Sequence, residues 1–241
     1  TGCEFTISTT NIKTKDFKWT TDWIFGWAEN TITKLDSRSQ VYSLVNGVGR
    51  TEGRPIGALY SIPFAGLTEE GLPTFFIDAE HTQVVGPGNY ADIYFQEYEN
   101  IDYLKYEGTI DPKITGSFGN TFSWKGLKLN VFFTYSFGNV LRLDNLCPVY
   151  SSDYSDLTAS MKEMKNRWMV PGDENITTIP SIPTVRQMRE IDALNNAYSA
   201  YNYSTERVAK GDFIRLKELS LAYDLPKKYF EGQKAVSSLG V

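Results

Sequence analysis

Apolar and polar positions alternate in five stretches of this chain, and that alternation predicts its structure. In 127–139, LKLNVFFTYSFGN, the residues Leu127, Leu129, Val131, Phe133, Tyr135 and Phe137 share one parity. Lys128, Asn130, Thr134, Ser136 and Gly138 share the other, with Phe132 as the large apolar exception. A period of two is that of a β-strand, whose successive side chains leave opposite faces. In 3–12, Cys3, Phe5 and Ile7 oppose Glu4, Thr6, Ser8 and Thr10. In 17–35, Phe17, Trp19, Trp23, Phe25 and Trp27 oppose Lys18, Thr20, Asp22, Gly26 and Ala28, with Ile24 out of pattern. In 114–124, Ile114, Phe118, Phe122 and Trp124 oppose Thr115, Ser117, Thr121 and Ser123. The fifth stretch, 212–226, aligns Leu219, Leu221, Tyr223 and Leu225. Its phase breaks near Lys217–Glu218, as a β-bulge would cause.

The connections between these strands differ greatly in length. Residues 11–16 and 125–126 read as short turns, whereas 36–111 and 144–210 are long. Alternately short and long connections on an antiparallel sheet are the pattern of an outer-membrane barrel. A soluble sandwich seldom carries loops of about 65 residues, since its connections are mostly short. The expected fold is therefore all-β, a segment of an antiparallel transmembrane β-barrel with long, partly helical loops on the extracellular side. Within the loops, Leu157, Met161, Met164 and Trp168 recur at helical spacing over 155–168, and Ser155 is a candidate cap. Val185, Met188, Ile191, Leu194 and Tyr198 predict a second helix over 183–201. The Pro-containing 170–183 separates the two, and 54–78 reads as a hairpin with a Glu-Gly turn.

Composition narrows the picture. Hydrophobic residues are 41% and charged residues 22% of the 241, which excludes a disordered chain. Aromatics reach 14%, an enrichment that suits strands and interfacial girdles more than a helical core. A net charge of −5, with no basic run, gives nucleic acid no electrostatic purchase. No apolar run of about 18 residues exists to make a transmembrane helix, a limit that does not apply to barrel strands of about 10 residues. The cysteines, Cys3 and Cys147, are too few for a disulfide framework, and spacing does not decide whether they pair.

Candidate chemistry is sparse. His81, the single histidine, lies in the acidic DAEHTQ with no nucleophile singled out beside it. The glycines of 47–53, GVGRTEG, match neither dinucleotide nor phosphate-loop spacing. Glu69, Glu70, Glu97, Glu99 and Asp102 lack calcium-loop spacing and read as solvated loop charge. No catalytic group, metal site or cofactor is expected. The better candidates are loop aromatics and amides: Asn195, Asn196, Tyr198, Tyr201, Asn202 and Tyr203, with Trp168. Flat apolar rings beside amide donors and acceptors suit a sugar or peptide ligand. Asp22, Lys128 and Asn130 fall on the polar, lumen-lining strand face. Trp23, Phe25, Phe118, Phe122, Leu129, Val131, Phe133, Leu219 and Leu221 fall on the lipid-facing one.

Several stretches resemble the SusC/RagA family of TonB-dependent outer-membrane transporters. They are DPKITGSFGNTFSWKGLKLNVFFTYSFGN (111–139), NRWMVPGDENITTIP (166–180), GDFIRLKELSLAYDLPKKY (211–229) and GRPIGALYSIPFAGLTEEGLPTF (53–75). The resemblance covers most of the chain, in order. It implies the bacterial outer membrane and a 22-stranded barrel around an N-terminal plug. It further implies a SusD-like surface lipoprotein partner, energy delivered through TonB, and import of oligosaccharides or peptides. Neither plug nor TonB box is present, and five strands do not close a barrel. The chain is therefore expected to be a portion of a longer protein, its strands those just before the last two. The competing readings are a soluble all-β carbohydrate-binding or adhesin module and, more weakly, a β-rich hydrolase. They differ in where the aromatic face points: to lipid in a barrel wall, to a protein core in a soluble domain.

Overall fold

The strands run, in chain order, β1 (Gly2–Lys13), β2 (Phe17–Ala28), β3 (Ala58–Ser61), β4 (Phe64–Leu67), β5 (Pro73–Phe76) and β6 (Val84–Val85). They continue with β7 (Lys105–Thr109), β8 (Ile114–Trp124), β9 (Leu127–Phe137), β10 (Val140–Arg142), β11 (Val208–Lys210) and β12 (Phe213–Tyr223). Three α-helices are described, α1 (Val41–Val45), α2 (Val185–Glu190) and α3 (Leu194–Asn202). The computed structural model describes residues 1–146 and 162–225. None of the described helices is long and apolar enough to cross a membrane.

The five alternating stretches form one antiparallel sheet in the order β1-β2-β8-β9-β12. Its strands are 11 or 12 residues long, about the length that crosses a bilayer when tilted. The short connections are tight. Lys125 and Gly126 both take positive φ, 48° and 91°, as a two-residue hairpin turn compatible with strand twist requires. Thr14 caps the other turn, its Oγ1 accepting from Phe17 N at 3.0 Å.

Several boundaries differ from the sequence expectation. The stretch 17–35 leaves the sheet at Ala28, not at Leu35. Its partner β8 begins only after Pro112, which has no N–H for the ladder, and Ala28 N donates the closing bond to Lys113 O at 2.9 Å. Likewise β9 ends at Phe137, because Gly138 turns at φ 83° and gives its N–H to Asp212 Oδ1. A register shift lies between Leu216 and Glu218, where the phase of the sequence breaks. A second, between Thr10 and Ile12, has no such signature.

The chain divides into two units. One holds the five-stranded sheet: Thr1–Glu29, Pro112–Asn139 and the stretch from Gly211 onward. The other joins both long connections, Asn30–Asp111 and Val140–Lys210. In this loop unit β3 pairs β7, β4-β5-β6 form a small sheet, and β10 pairs β11. Its core draws on both connections: Val41, Leu44, Ile62, Leu72, Phe75 and Tyr90 from the first, Leu146, Leu194, Ala197 and Tyr201 from the second. The expected hairpin over 54–78 is shorter, running from β4 to β5 around Gly71 at φ 75°, while Ala58–Ser61 pairs elsewhere. The helix expected over 183–201 is two. Thr184 and Gln187 form a capping box for α2, then Ile191 goes extended and Ala193 left-handed before α3 starts. Val185, placed on the buried stripe by spacing, is exposed. Of the helix expected over 155–168, residues 155–161 lie outside the described residues, and Lys162–Asn166 is a 3-10 turn.

Candidate functional site

Register converts sequence parity into two continuous surfaces of the large sheet. On one, Phe5 pairs Phe25, Ile7 pairs Trp23, Trp23 pairs Phe118 and Phe118 pairs Phe133. Phe122 then pairs Leu129, Leu129 pairs Leu221, and Val131 pairs Leu219. Every residue expected to face lipid lies on this surface, and Leu219 and Leu221 are 63% and 66% exposed. Burying rows of large apolar groups is the main favourable term in folding, so an uncovered apolar face of this extent marks an interaction surface.

Polar groups on the apolar surface are paired. Trp19 Nε1 and Thr21 Oγ1 both donate to Asn120 Oδ1 at 2.8 Å, and Asn11 Nδ2 donates to Thr21 Oγ1 at 2.6 Å. Tyr135 bridges three strands. Its Oη accepts from Trp23 Nε1 and donates to Ile24 O, both at 2.9 Å. The ring reaches β2 because β8 carries Gly116 opposite it, where a Cβ would collide with Ile24 O and the Tyr135 ring.

The opposite surface is polar and networked. Thr121 Oγ1 donates to Asn130 Oδ1 at 3.1 Å, Asn130 Nδ2 to Glu218 Oε1 at 2.9 Å, and Ser220 Oγ to Glu218 Oε1 at 3.0 Å. Asp22 and Lys128 share this surface, Asp22 opposite Ser8 and Gly119, Lys128 opposite Ser123 and Ala222. Phe132, out of pattern in the sequence, pairs with Gly119 and fills the space that glycine leaves, 3.0 Å from its would-be Cβ. An aromatic ring over a cross-strand glycine restores the packing the missing side chain forfeits.

In the loop unit Arg142 adds a charged tie between the two connections, beside backbone bonds such as Ile62 N to Tyr203 O and Ser181 N to Gly71 O. Arg142 Nη1 donates to Ser61 Oγ at 3.2 Å and Ser204 O at 2.9 Å, and Nη2 to Val45 O at 3.0 Å and Tyr60 O at 2.6 Å. Burial pushes its pKa down to about 10, opposed by the nearby Glu107. Arg207, also buried, donates to Glu163 Oε2 at 2.6 Å and to Asp144 O at 2.7 Å. No signal in the sequence singled out either arginine.

The loop unit has a cleft of about 440 Å³ beside α1 and α3, within the usual size of small-molecule sites. Its aromatic wall is Tyr42, Tyr94, Phe95 and Tyr203. Its polar wall is Gln96, Asn145, Asn196, Ser199 and Asn202, with Ile93 beneath. Tyr203 is clasped edge-on by Tyr42 and Phe95, with ring centroids 6.2 and 6.0 Å away, and burial raises its pKa. Asn196, Asn202 and Tyr203 of the predicted set line the cleft, and Asn195 is exposed outside its lining.

Others of that set are structural. Tyr198 and Tyr201 are core residues, and Tyr198 Oη donates to Ser181 O at 2.7 Å. Asn202, although it borders the cleft, is 1% exposed, and its Oδ1 accepts from Leu146 N. Trp168 packs over Gly71 and donates from Nε1 to Glu174 Oε2 at 3.0 Å, so it braces a turn. The helix α3 turns Tyr198 and Tyr201 inward, which a cluster of tyrosines and asparagines does not reveal. Tyr42, Tyr94 and Phe95, which do line the cleft, stand far away in sequence.

Elsewhere, His81 is an exposed loop residue stacked on Phe76 at 4.9 Å. Cys3 is a free, exposed thiol, and Cys147 lies outside the described residues. Among the described residues no three His, Cys, Asp or Glu gather as metal ligands would.

No family profile matches the chain. TonB-dependent receptor P3 of Formosa agariphila is 28% identical over 244 residues, covering 95% of this chain and 22% of that receptor. Receptor P39 of the same organism is 24% identical, covering 92% and 23%. Among solved structures, the RagAB peptide transporter superposes with a TM-score of 0.66 at 21% identity, over 99% of this chain and 24% of that one. Over nearly its whole length the chain is similar in sequence to TonB-dependent receptors and in fold to the RagAB transporter. It spans about a fifth of the length of its curated relatives. The RagAB importer in its open-open state gives a TM-score of 0.60 at 22% identity, covering 100% of this chain and 25% of that one, a likeness of fold. TonB-dependent receptors and RagAB are outer-membrane proteins.

Proposed function

We propose that the chain forms part of the wall of a closed barrel of about 22 strands. In this reading the barrel imports nutrients across the outer membrane, driven through TonB and assisted by a SusD-like surface lipoprotein. The observation that carries it is the sheet itself. Five membrane-length strands join a continuous apolar face to an opposite face of hydrogen-bonded polar groups. In hydrocarbon, unsatisfied backbone groups cost several kcal/mol each, so the edges at β1 and β12 must pair with further strands. The apolar face, from Trp23 and Phe25 through Phe118, Phe122, Leu129, Val131 and Phe133 to Leu219 and Leu221, then meets lipid. Asp22, Lys128 and Asn130 line the lumen. The connections 36–111 and 144–210 lie outside the cell, where Asn195, Asn196 and Tyr203 are available to cargo. That cargo is an oligosaccharide or a peptide.

No bond of the cargo is broken in this mechanism. The loops and the lipoprotein capture it, the plug gates the lumen, and TonB supplies the work. The test is uptake of candidate oligosaccharides and peptides by cells lacking the gene, and by cells lacking TonB. Loss of uptake of one cargo in both strains is the expected result. Uptake of every candidate at the parental rate in both strains refutes the function. Recovery of the protein from the soluble fraction refutes the barrel.

A further inference from the structure

We infer that the cleft beside α3 binds neutral sugar units and that the receptor's cargo is a neutral oligosaccharide, an assignment that rests on the import function proposed above. Charge comes first. Among the described residues no acidic or basic side chain lines this cleft, whereas a neighbouring cleft of the loop unit is walled by Asp36, Arg38, Arg50, Glu52, Glu99 and Asp102. A ligand bearing carboxylates, sulfates or free termini would be stripped of water in the neutral cleft with no countercharge to replace it.

The neutral groups present match a sugar. Tyr94 and Tyr42 are 57% and 52% exposed, so their rings are open to stacking against the apolar face of a pyranose. Tyr203 behind Tyr42 is locked by two edge-on contacts, so this part of the wall is ordered before a ligand arrives. Gln96 and Asn145 are exposed amides, each offering both donors and an acceptor to vicinal hydroxyls. An extended peptide is instead read largely through main-chain bonds to a strand edge. No described lining residue belongs to a strand; they come from α1, α3 and irregular segments.

The experiment is titration calorimetry on the full-length receptor in detergent. The probes are maltohexaose, laminarihexaose, xylohexaose and mannohexaose, beside an alginate oligomer and an end-capped hexapeptide. At least one neutral hexasaccharide is expected to bind. Tyr94→Ala and Asn145→Ala each weaken it by about tenfold, Tyr94→Phe restores it, and Tyr98→Ala, an exposed aromatic elsewhere, leaves it unchanged. Both tested positions are exposed, and unchanged thermal unfolding of the variants confirms that they fold. Binding by none of the neutral sugars, binding confined to the alginate or the peptide, or sugar binding that survives both substitutions overturns the assignment. If deleting the gene abolishes uptake while the cleft variants bind and import as the parent does, the sugar site is wrong and the importer stands. If deletion leaves uptake intact, the importer itself is wrong.

Discussion

Gly116→Ala tests whether Tyr135 fastens three strands of the sheet. An added Cβ at position 116 would occupy the space between Ile24 O and the Tyr135 ring. Ile24 O is backbone of β2, paired with β8, and cannot retreat cheaply, so the added Cβ strains the β2–β8 pairing as well as forcing the ring to swing away. That sacrifices the bond from Trp23 Nε1 and the bond to Ile24 O, both 2.9 Å. At about 0.5–1.5 kcal/mol each the two are worth about 1–3 kcal/mol, and lost ring packing adds about 1 kcal/mol. The expected destabilisation is at least about 2–4 kcal/mol, before any strain in the β2–β8 pairing is added. Tyr135→Phe removes the hydroxyl but leaves the ring over Gly116, so it should cost only the hydrogen-bond share. The assay is a double-mutant cycle on the full-length receptor in detergent, read as the shift in its thermal unfolding. Once alanine has displaced the ring, removing its hydroxyl changes little, so the pair is expected to be clearly sub-additive. Gly116→Ala within about 0.5 kcal/mol of the parent, or strict additivity with Tyr135→Phe, refutes the clamp.

Four other substitutions probe the two sheet faces and the loop unit. Val131→Arg, mid-strand on the apolar face, is expected to cost about 2–4 kcal/mol near the bilayer midplane. Thr134→Arg, on the polar face, should be tolerated; equal levels of the two variants in outer-membrane fractions would reverse the assignment of faces. Arg142→Met leaves the carbonyls of Val45, Tyr60 and Ser204 without their guanidinium donor. It should destabilise the loop unit by about 3–5 kcal/mol, seen as faster hydrogen exchange in both 30–111 and 140–210. Parental exchange in either segment counts against the clamp. Glu97 accepts bonds from the amides of Glu99, Tyr98 and Asn100, which hold its carboxyl below the usual carboxylate range. A depressed carboxyl stabilises fully above the unfolded value and loses that contribution as pH falls through the folded one. Protection of the 97–100 turn from exchange should therefore persist through the usual carboxylate range and fall only at more acidic pH in the parent. Glu97→Gln should flatten that dependence, and an identical acid limb in the variant would show that another group titrates.

The sheet was legible because one requirement, apolar groups on a single face, acts on every second residue over 11 or 12 positions. Even the bulge near Lys217 shows as a phase error, since Leu216 and Leu219 must both reach the apolar face. The bulge at Thr10–Ile12 shows nothing, because Thr9 and Asn11 are polar on a face otherwise apolar, paired there by Thr21. Strand ends were misjudged where the stop signal sits on the partner strand: Pro112, not any residue of 29–35, ends β2. The loop unit was harder for a related reason. The break between α2 and α3 falls at Ile191–Ala193, which holds no glycine or proline. The cleft is assembled from residues more than 100 positions apart, such as Tyr94 and Tyr203. Spacing along the chain carries no record of such proximity, and it led to Tyr198 and Tyr201, which the fold turned into core.

The Arg142 clamp has a consequence for anyone wishing to exchange these segments between relatives. Residues 30–111 and 140–210 share one interior, and a guanidinium from the second is stitched to backbone carbonyls of the first. A graft of either segment alone from a relative would bring half of an interior and leave the other half without its complement. Whatever the loop unit binds should therefore transplant only as a two-piece cassette, both inserts moved at once.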